Sequence, residues 1–193
     1  MDTKVISAFP ACGKTYAFEK LSNEGCKVLD SDSSLFSWIE RERTEEELQE
    51  LKEAWDSVPH LLSGDGYIEK IRHDKIKVRN PEFPNNYIQH IKDNIGKVDY
   101  IFVSSHKEVR DALIKNNIWF TLAYPARHAK AEWVGRCFLR GSGEKFCQLI
   151  ADNWDKWIDE MNNVSKCDKR ILGYGNYYRH YKYLSDLIED GLI

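Results

Sequence analysis

The stretch that most constrains this chain is Val5-Ile6-Ser7-Ala8-Phe9-Pro10-Ala11-Cys12-Gly13-Lys14-Thr15. Val5, Ile6 and Phe9 form a short buried strand in this reading, because β-branched and aromatic residues run up to a proline-containing turn. Gly13-Lys14-Thr15 follows, and then Tyr16 to Leu21, which suits a helix. Strand, tight turn and helix N-terminus are the context in which main-chain N–H groups and the helix dipole hold an anion. In such a loop Ala11, Cys12, Gly13, Lys14, Thr15 and Tyr16 line the phosphates of a nucleotide. The Lys14 ammonium reaches the outer phosphates and the Thr15 hydroxyl ligates Mg²⁺. The full pattern G-x-x-x-x-G-K-[ST] has glycine where this chain has Ala8, and many such loops also have one at Ala11. Alanine adopts a left-handed backbone only under strain, so strain is expected at those two places.

Two further segments extend the argument. Cys26-Lys27-Val28-Leu29-Asp30-Ser31-Asp32 reads as a second strand that ends in paired carboxylates. Open α/β sheets place their chemistry beyond the carboxyl ends of their strands, so Asp30 and Asp32 emerge beside the anion loop. They suit a general base for an acceptor hydroxyl, or, for Asp32, a Mg²⁺ ligand acting with Thr15. Asp32 and Ser33 equally suit the cap of a following helix. From Arg127 to Lys145 five bases stand against two acids, with Arg136 and Arg140 one helical turn apart. Gly141-Ser142-Gly143 then breaks the helix, which yields a helix–turn–helix flap over about 127–145. Arginines that close over phosphates neutralise transferred charge and exclude water, and Arg136 and Arg140 are the candidates.

The remaining elements fill in between. Ser34 to Val58 reads as helical, with Leu35, Phe36 and Ile39 on one face. Thr44 and Glu47 mark a capping box ahead of Leu48, Leu51, Trp55 and Val58, and Pro59 ends the run. Gly64 to Pro84 is polar, with several breakers and a basic balance from Gly66 to Arg79. Together with the helix starting after Pro84 and stopped by Gly96, this makes an acceptor-side insertion over about 34–96. Asp99 to His106 is a central strand whose unbroken apolar run implies burial on both faces. It ends in Ser104-Ser105-His106 rather than in aspartate, which moves metal duty to the Asp30 and Asp32 strand. A helix over 107–116 and a fourth strand over 118–124 come next. An aromatic helical stripe from Phe146 to Met161, a fifth strand at 169–172 and a closing helix around Leu184, Leu187 and Ile188 complete the chain.

Composition narrows the class. At 193 residues with 31% charged and 12% aromatic side chains, the chain suits one soluble domain with an insertion. A net charge of −3 argues against a dedicated nucleic-acid coat, although it leaves room for a local basic groove. No stretch is long enough to span a bilayer, and the start lacks a signal-peptide pattern, so a cytoplasmic setting and no membrane partner are expected. Five irregularly spaced cysteines fit reduced thiols rather than a disulfide frame or a zinc site.

Taken in order, Ala8 to Thr15, Leu29 to Ser34, Val103 to Arg110, then Tyr124-Pro125 with Arg136 and Arg140 downstream, the chain resembles small bacteriophage-encoded P-loop proteins. These are similar to nucleoside and nucleotide kinases of the adenylate kinase-like group. The resemblance covers about residue 4 to about residue 165. It implies a three-layer P-loop NTPase fold with a parallel five-stranded sheet of order 2-3-1-4-5, a helical insertion and a helical lid. It implies ATP–Mg²⁺ on Gly13, Lys14 and Thr15, an acceptor served by Asp30 or Asp32, and lid duty for Arg136 and Arg140. The expected activity is transfer of the ATP γ-phosphate to a nucleoside or nucleotide. Two alternatives are a kinase acting on hydroxyl-bearing bases in DNA and an ATP-binding or catalytically inactive interaction module.

Overall fold

The structure, a computed structural model, describes residues 2–58, 64–173 and 183–193. Pro59, expected to end the acidic helix, lies outside the described residues. In chain order the elements are β1 (Lys4–Ala8), α1 (Lys14–Asn23), β2 (Val28–Asp30), α2 (Ser34–Ser37), β3 (Trp38–Arg41), α3 (Glu45–Asp56), α4 (Gly64–Ile71) and β4 (Ile76–Arg79). They continue with α5 (Asn85–Asn94), β5 (Tyr100–Ser104), α6 (Lys107–Lys115), β6 (Thr121–Pro125), a 3-10 turn (Arg127–Ala129), α7 (Lys130–Leu139), α8 (Glu144–Asn162), β7 (Asp168–Leu172) and α9 (Leu184–Glu189).

Five strands form a parallel sheet in the order β2-β5-β1-β6-β7. Counting only these strands along the chain, the order is 2-3-1-4-5, as the resemblance implied. The central strands are buried on both faces: consecutive residues Ile101, Phe102 and Val103 of β5, and Leu122, Ala123 and Tyr124 of β6, are all inaccessible or nearly so. An unbroken apolar run is what a strand covered on both sides needs. Parallel register sets Ala8 of β1 beside Ser104 of β5, and Asp30 of β2 beside Phe102. The strands therefore finish along one edge of the sheet. The turns after them bring Pro10 to Gly13, Ser31 to Ser33 and Ser105 to His106 to that edge.

The chain divides into two compact units, residues 1–33 with 84–193, and residues 34–83. The helix α5, grouped with the insertion by the sequence reading, belongs to the first unit. In the second unit the expected helix over 34–58 is broken: α2 is a single turn, and Trp38 to Arg41 pair antiparallel with Ile76 to Arg79. Leu35 and Ile39 are exposed, so the expected apolar face does not form. Those positions alternate too briefly to be told from a helical face by pattern alone. The capping box does form, with Thr44 Oγ1 accepting from the Glu47 N–H and Glu47 accepting from the Thr44 N–H. Arg41 holds both oxygens of the same Glu47 carboxylate at 2.7 Å. The apolar centre of this unit is small: Leu48, Ile68 and Ile71, with Tyr67 packed against them and stacked on Trp55. The polar stretch after Gly64 carries α4 and β4 rather than a loop.

Candidate functional site

The turn after β1 is held by main chain. The Phe9 N–H bonds to the Ala123 carbonyl of β6 at 2.9 Å, and the Cys12 N–H bonds back to the Phe9 carbonyl at 3.2 Å. Ala11 has φ +62° and Gly13 φ +86°, so two of three consecutive residues are left-handed. That alternation turns successive N–H groups toward one concavity, the geometry of an anion nest. Among the described residues, no acceptor takes the main-chain N–H of Gly13, Lys14, Thr15 or Tyr16. Glycine is favoured at 13 twice over. Its φ would strain a side chain, and a Cβ there would lie a tight 3.3 Å from the Tyr183 ring. Of the two alanines, Ala8 is no departure in backbone terms, because it sits fully buried at the end of β1 in register with its neighbours. The strain expected at both falls on Ala11 alone.

Lys14 opens α1, and its side chain folds back beneath the turn so that Nζ donates to the Ala8 carbonyl at 3.1 Å. The ammonium end is enclosed while the stem keeps some exposure. Burial pulls its pKa down from the ordinary value; Asp30 and Asp32 work against that, and Arg140 adds to it. Asp30, the last residue of β2, shows the counterpart. Burial raises its pKa, Lys14 opposes the rise and Asp32 reinforces it. The fold thus brings Asp30, Asp32 and Arg140 within electrostatic reach of Lys14. Asp32 and Thr15 face solvent, as does Tyr16.

The strand ends are fixed from below. Tyr87 of α5 is fully buried, and its phenol donates to the Ser31 carbonyl, between Asp30 and Asp32, at 2.6 Å. Burial pushes this phenol up to about 12, with the Ser31 hydroxyl and the Ser104 main chain opposing the shift. Ser31 Oγ lies near the phenol without hydrogen-bond geometry, and Ser104 Oγ is likewise unsatisfied. The Ser31 N–H bonds to the Phe102 carbonyl and Ser7 Oγ to the Ser104 carbonyl. His106 is exposed and begins α6, its carbonyl accepting from Val109 and Arg110.

The basic flap takes shape as α7, the Gly141–Gly143 turn and α8. Its base is tied by Arg127, which pairs with Asp155 and Asp159 and accepts the Trp154 indole N–H on its carbonyl. Trp133 and Cys137 are buried on one side of α7, whereas Phe138 turns away from them and is 69% exposed. Arg136 is enclosed. Its guanidinium carbon lies 4.0 Å from the Trp133 ring centroid and 4.5 Å from that of Tyr183, and Glu132 takes one of its nitrogens at 2.5 Å. Arg140 is more open, over the Phe146 ring at 5.8 Å with Nε on Ser142 Oγ. Cys12, in the loop beneath, is fully buried, and burial drives its thiol up to about 12 against the pull of Lys14, the Trp133 indole and Arg136. That thiol is inert at neutral pH.

Sequence reasoning missed Tyr87 and Tyr183. Tyr87 looked like an ordinary residue of an amphipathic helix, and only the register of β2 with β5 places it under the carboxylates. Tyr183 lies 170 residues from Gly13, and no local pattern joins them. The one local signal is Asp186, whose carboxylate accepts the Tyr183 N–H at 3.0 Å and starts α9.

The sheet order, the left-handed turn after the first strand and the lysine at the head of α1 define the three-layer α/β fold of P-loop proteins. No family model matches the chain and no curated protein resembles it in sequence. Among solved structures, a dephospho-CoA kinase from Campylobacter jejuni is similar at 13% identity and a TM-score of 0.39, with 100% of each chain covered. No helix among the described residues is long and apolar enough to cross a membrane, and no cluster of His, Cys, Asp or Glu among them is arranged to hold a metal by itself.

Proposed function

We propose that this protein is an ATP-dependent phosphotransferase whose acceptor is a nucleoside or nucleotide. The observation that carries the reading is the enclosed Lys14 at the head of α1, set between the anion nest and the Asp30 and Asp32 carboxylates. The N–H groups from Gly13 to Tyr16 have no acceptor among the described residues and fit phosphate oxygens. Ala11 and Cys12 shape the turn that presents them. The Thr15 hydroxyl and Asp32, both exposed, fit a Mg²⁺ ion that a nucleotide brings with it. Bound there, ATP–Mg²⁺ supplies the transferable phosphoryl group.

The chain's own residues have the following work. Lys14 neutralises negative charge in a desolvated setting, where a fixed cation acts strongly. Asp30 accepts the proton of an acceptor hydroxyl, and its pKa, raised by burial, makes it a stronger base than a solvated carboxylate. Arg136 and Arg140 add positive charge from the flap side. The experiment is a transfer assay with labelled ATP against nucleosides, monophosphates and DNA oligonucleotides. Label is expected on a small acceptor, and Lys14→Ala is expected to lose roughly two to three orders of magnitude in turnover. Equal turnover in that variant overturns the reading. Label carried by long duplex DNA instead selects a DNA-base acceptor.

One observation favours a second reading, the nucleotide-binding but inactive module. Lys14 Nζ is satisfied by the loop's own Ala8 carbonyl, and Tyr183 rests on Gly13. ATP binding without transfer to any acceptor identifies that case.

A further inference from the structure

Tyr183 joins three parts of the molecule that the sequence keeps far apart. Its ring lies against Gly13, with Cδ1 3.3 Å from the position a Cβ would take there. The same ring meets the Arg136 guanidinium of α7, 4.5 Å from ring centroid to guanidinium carbon. The next residue, Leu184, donates its main-chain N–H to the Cys12 carbonyl at 3.0 Å, so the ring is anchored to the turn it covers. Leu184 and Leu187 are buried and hold the start of α9 in place. The fully buried Trp133 also meets Arg136, its ring centroid 4.0 Å from the guanidinium carbon. Arg136 is therefore held against two aromatic rings, and Glu132 takes one of its nitrogens.

A guanidinium so held has little rotamer freedom. Two rings pack against it, and it bonds to an anion in its own plane, through its edge nitrogens. Cation–π attraction contributes at each ring face and grows as the site is desolvated. Arg136 also acts electrostatically on Cys12, inside the nest turn, so its positive charge is felt in the loop. Lysine in the same place has no such plane.

We propose that Tyr183 is a positioning residue: together with Trp133 it fixes the Arg136 guanidinium over the Gly13 turn, so that the flap's cation is preorganised for a polyphosphate tail. The inference rests on the reading of the loop as a polyphosphate site and extends it, because it assigns the ring to the phosphates and not to the base. No chemical step is involved. The ring is needed for its face and the phenol oxygen is not.

Calorimetric binding of ATP and of inorganic tripolyphosphate, with Mg²⁺, to the full chain and its Tyr183→Phe, Tyr183→Leu and Arg136→Lys variants tests this. Tyr183→Phe is expected to bind both ligands as the parent does. Tyr183→Leu is expected to weaken both by the same factor, about tenfold or more, the scale of one desolvated cation–π contact. Arg136→Lys is expected to match Tyr183→Leu, and a double variant to add little, since both changes remove one arrangement. Loss of ATP binding alone, with tripolyphosphate unchanged, overturns the proposal by assigning the ring to the base. Unchanged binding in Tyr183→Leu overturns it while leaving the loop reading intact. Failure of the parent to bind either ligand removes the loop reading and the proposal together, and is a different result from the other two. Circular dichroism melts of the variants guard against misfolding, and rescue by phenylalanine separates positioning from mere packing at the chain's end.

Discussion

The site has a floor and a flap, and they hold their charges in opposite ways. On the floor, Lys14 and Asp30 are placed by main chain: one heads a helix and the other ends a strand whose register is set by β5. Both are partly stripped of water, and both have pKa values displaced toward the neutral form. In the flap, Arg136 and Arg140 sit on a helix and its cap, and their positions come from aromatic faces and neighbouring side chains. A floor charge costs stability and is hard to move. A flap charge depends on its supports. Function concentrates where the fold accepts that cost.

The largest effects should therefore come from the floor. Asp30→Asn is expected to lower turnover by about two to four orders of magnitude, the span of a lost general base. The same change is expected to raise stability at neutral pH. The folded carboxyl holds its proton above the ordinary value of 3.8, so the folded state binds more protons than the unfolded one within that window. Stability of the parent then falls as pH rises through the window, and the penalty is fully present above it. Asparagine carries no such penalty, so the gap in urea midpoint between variant and parent should close as pH drops below 3.8. A gap that widens toward acid would reverse the assignment of burial as the dominant cause.

Next in size is a matched pair of phenols. Tyr87 donates to Ser31 at the floor, and Tyr124, also buried, donates to Asn162 at 2.7 Å away from it. Each phenylalanine variant removes one buried hydrogen bond, so a comparable loss of about 0.5–1.5 kcal/mol is expected in both. Turnover should separate them. Tyr87→Phe frees the carbonyl between Asp30 and Asp32 and is expected to cut turnover about tenfold at unchanged nucleotide affinity, while Tyr124→Phe leaves turnover alone. Equal turnover in the two would reduce Tyr87 to a core residue.

Much of the floor was legible in the sequence because its constraints are local. Gly13-Lys14-Thr15 after a strand, and a strand ending in Asp30-Ser31-Asp32, are each readable within about ten residues, and the sheet order came only with the family resemblance. The flap was legible as a basic helix, a break and an aromatic helix. Its internal arrangement was not, because Tyr183 reaches Arg136 only through the fold. The second unit was least legible. Its centre is three buried aliphatic residues, too few to impose a clear period on 34–58, and β3 pairs with β4 across 34 intervening residues. Charge pairs such as Arg41 with Glu47 do organise it, but exposed pairs leave no periodic trace.

The smallest effect tests the boundary between the two regions, at the turn. Ala11 has φ +62°, where an L side chain costs about 1–2 kcal/mol, and glycine there relieves that strain. Glycine also gives the unfolded chain more freedom, which takes back about 0.5–1 kcal/mol. The net is a gain of about 0.5–1 kcal/mol for Ala11→Gly, or roughly 1–4 °C in melting temperature for a chain of this length. If the nest is set by the Phe9, Ala123 and Leu184 hydrogen bonds, nucleotide affinity should stay within about twofold. A large rise in affinity would mean that the alanine holds the turn short of its binding shape, and that the floor is less rigid than its main-chain bonds suggest.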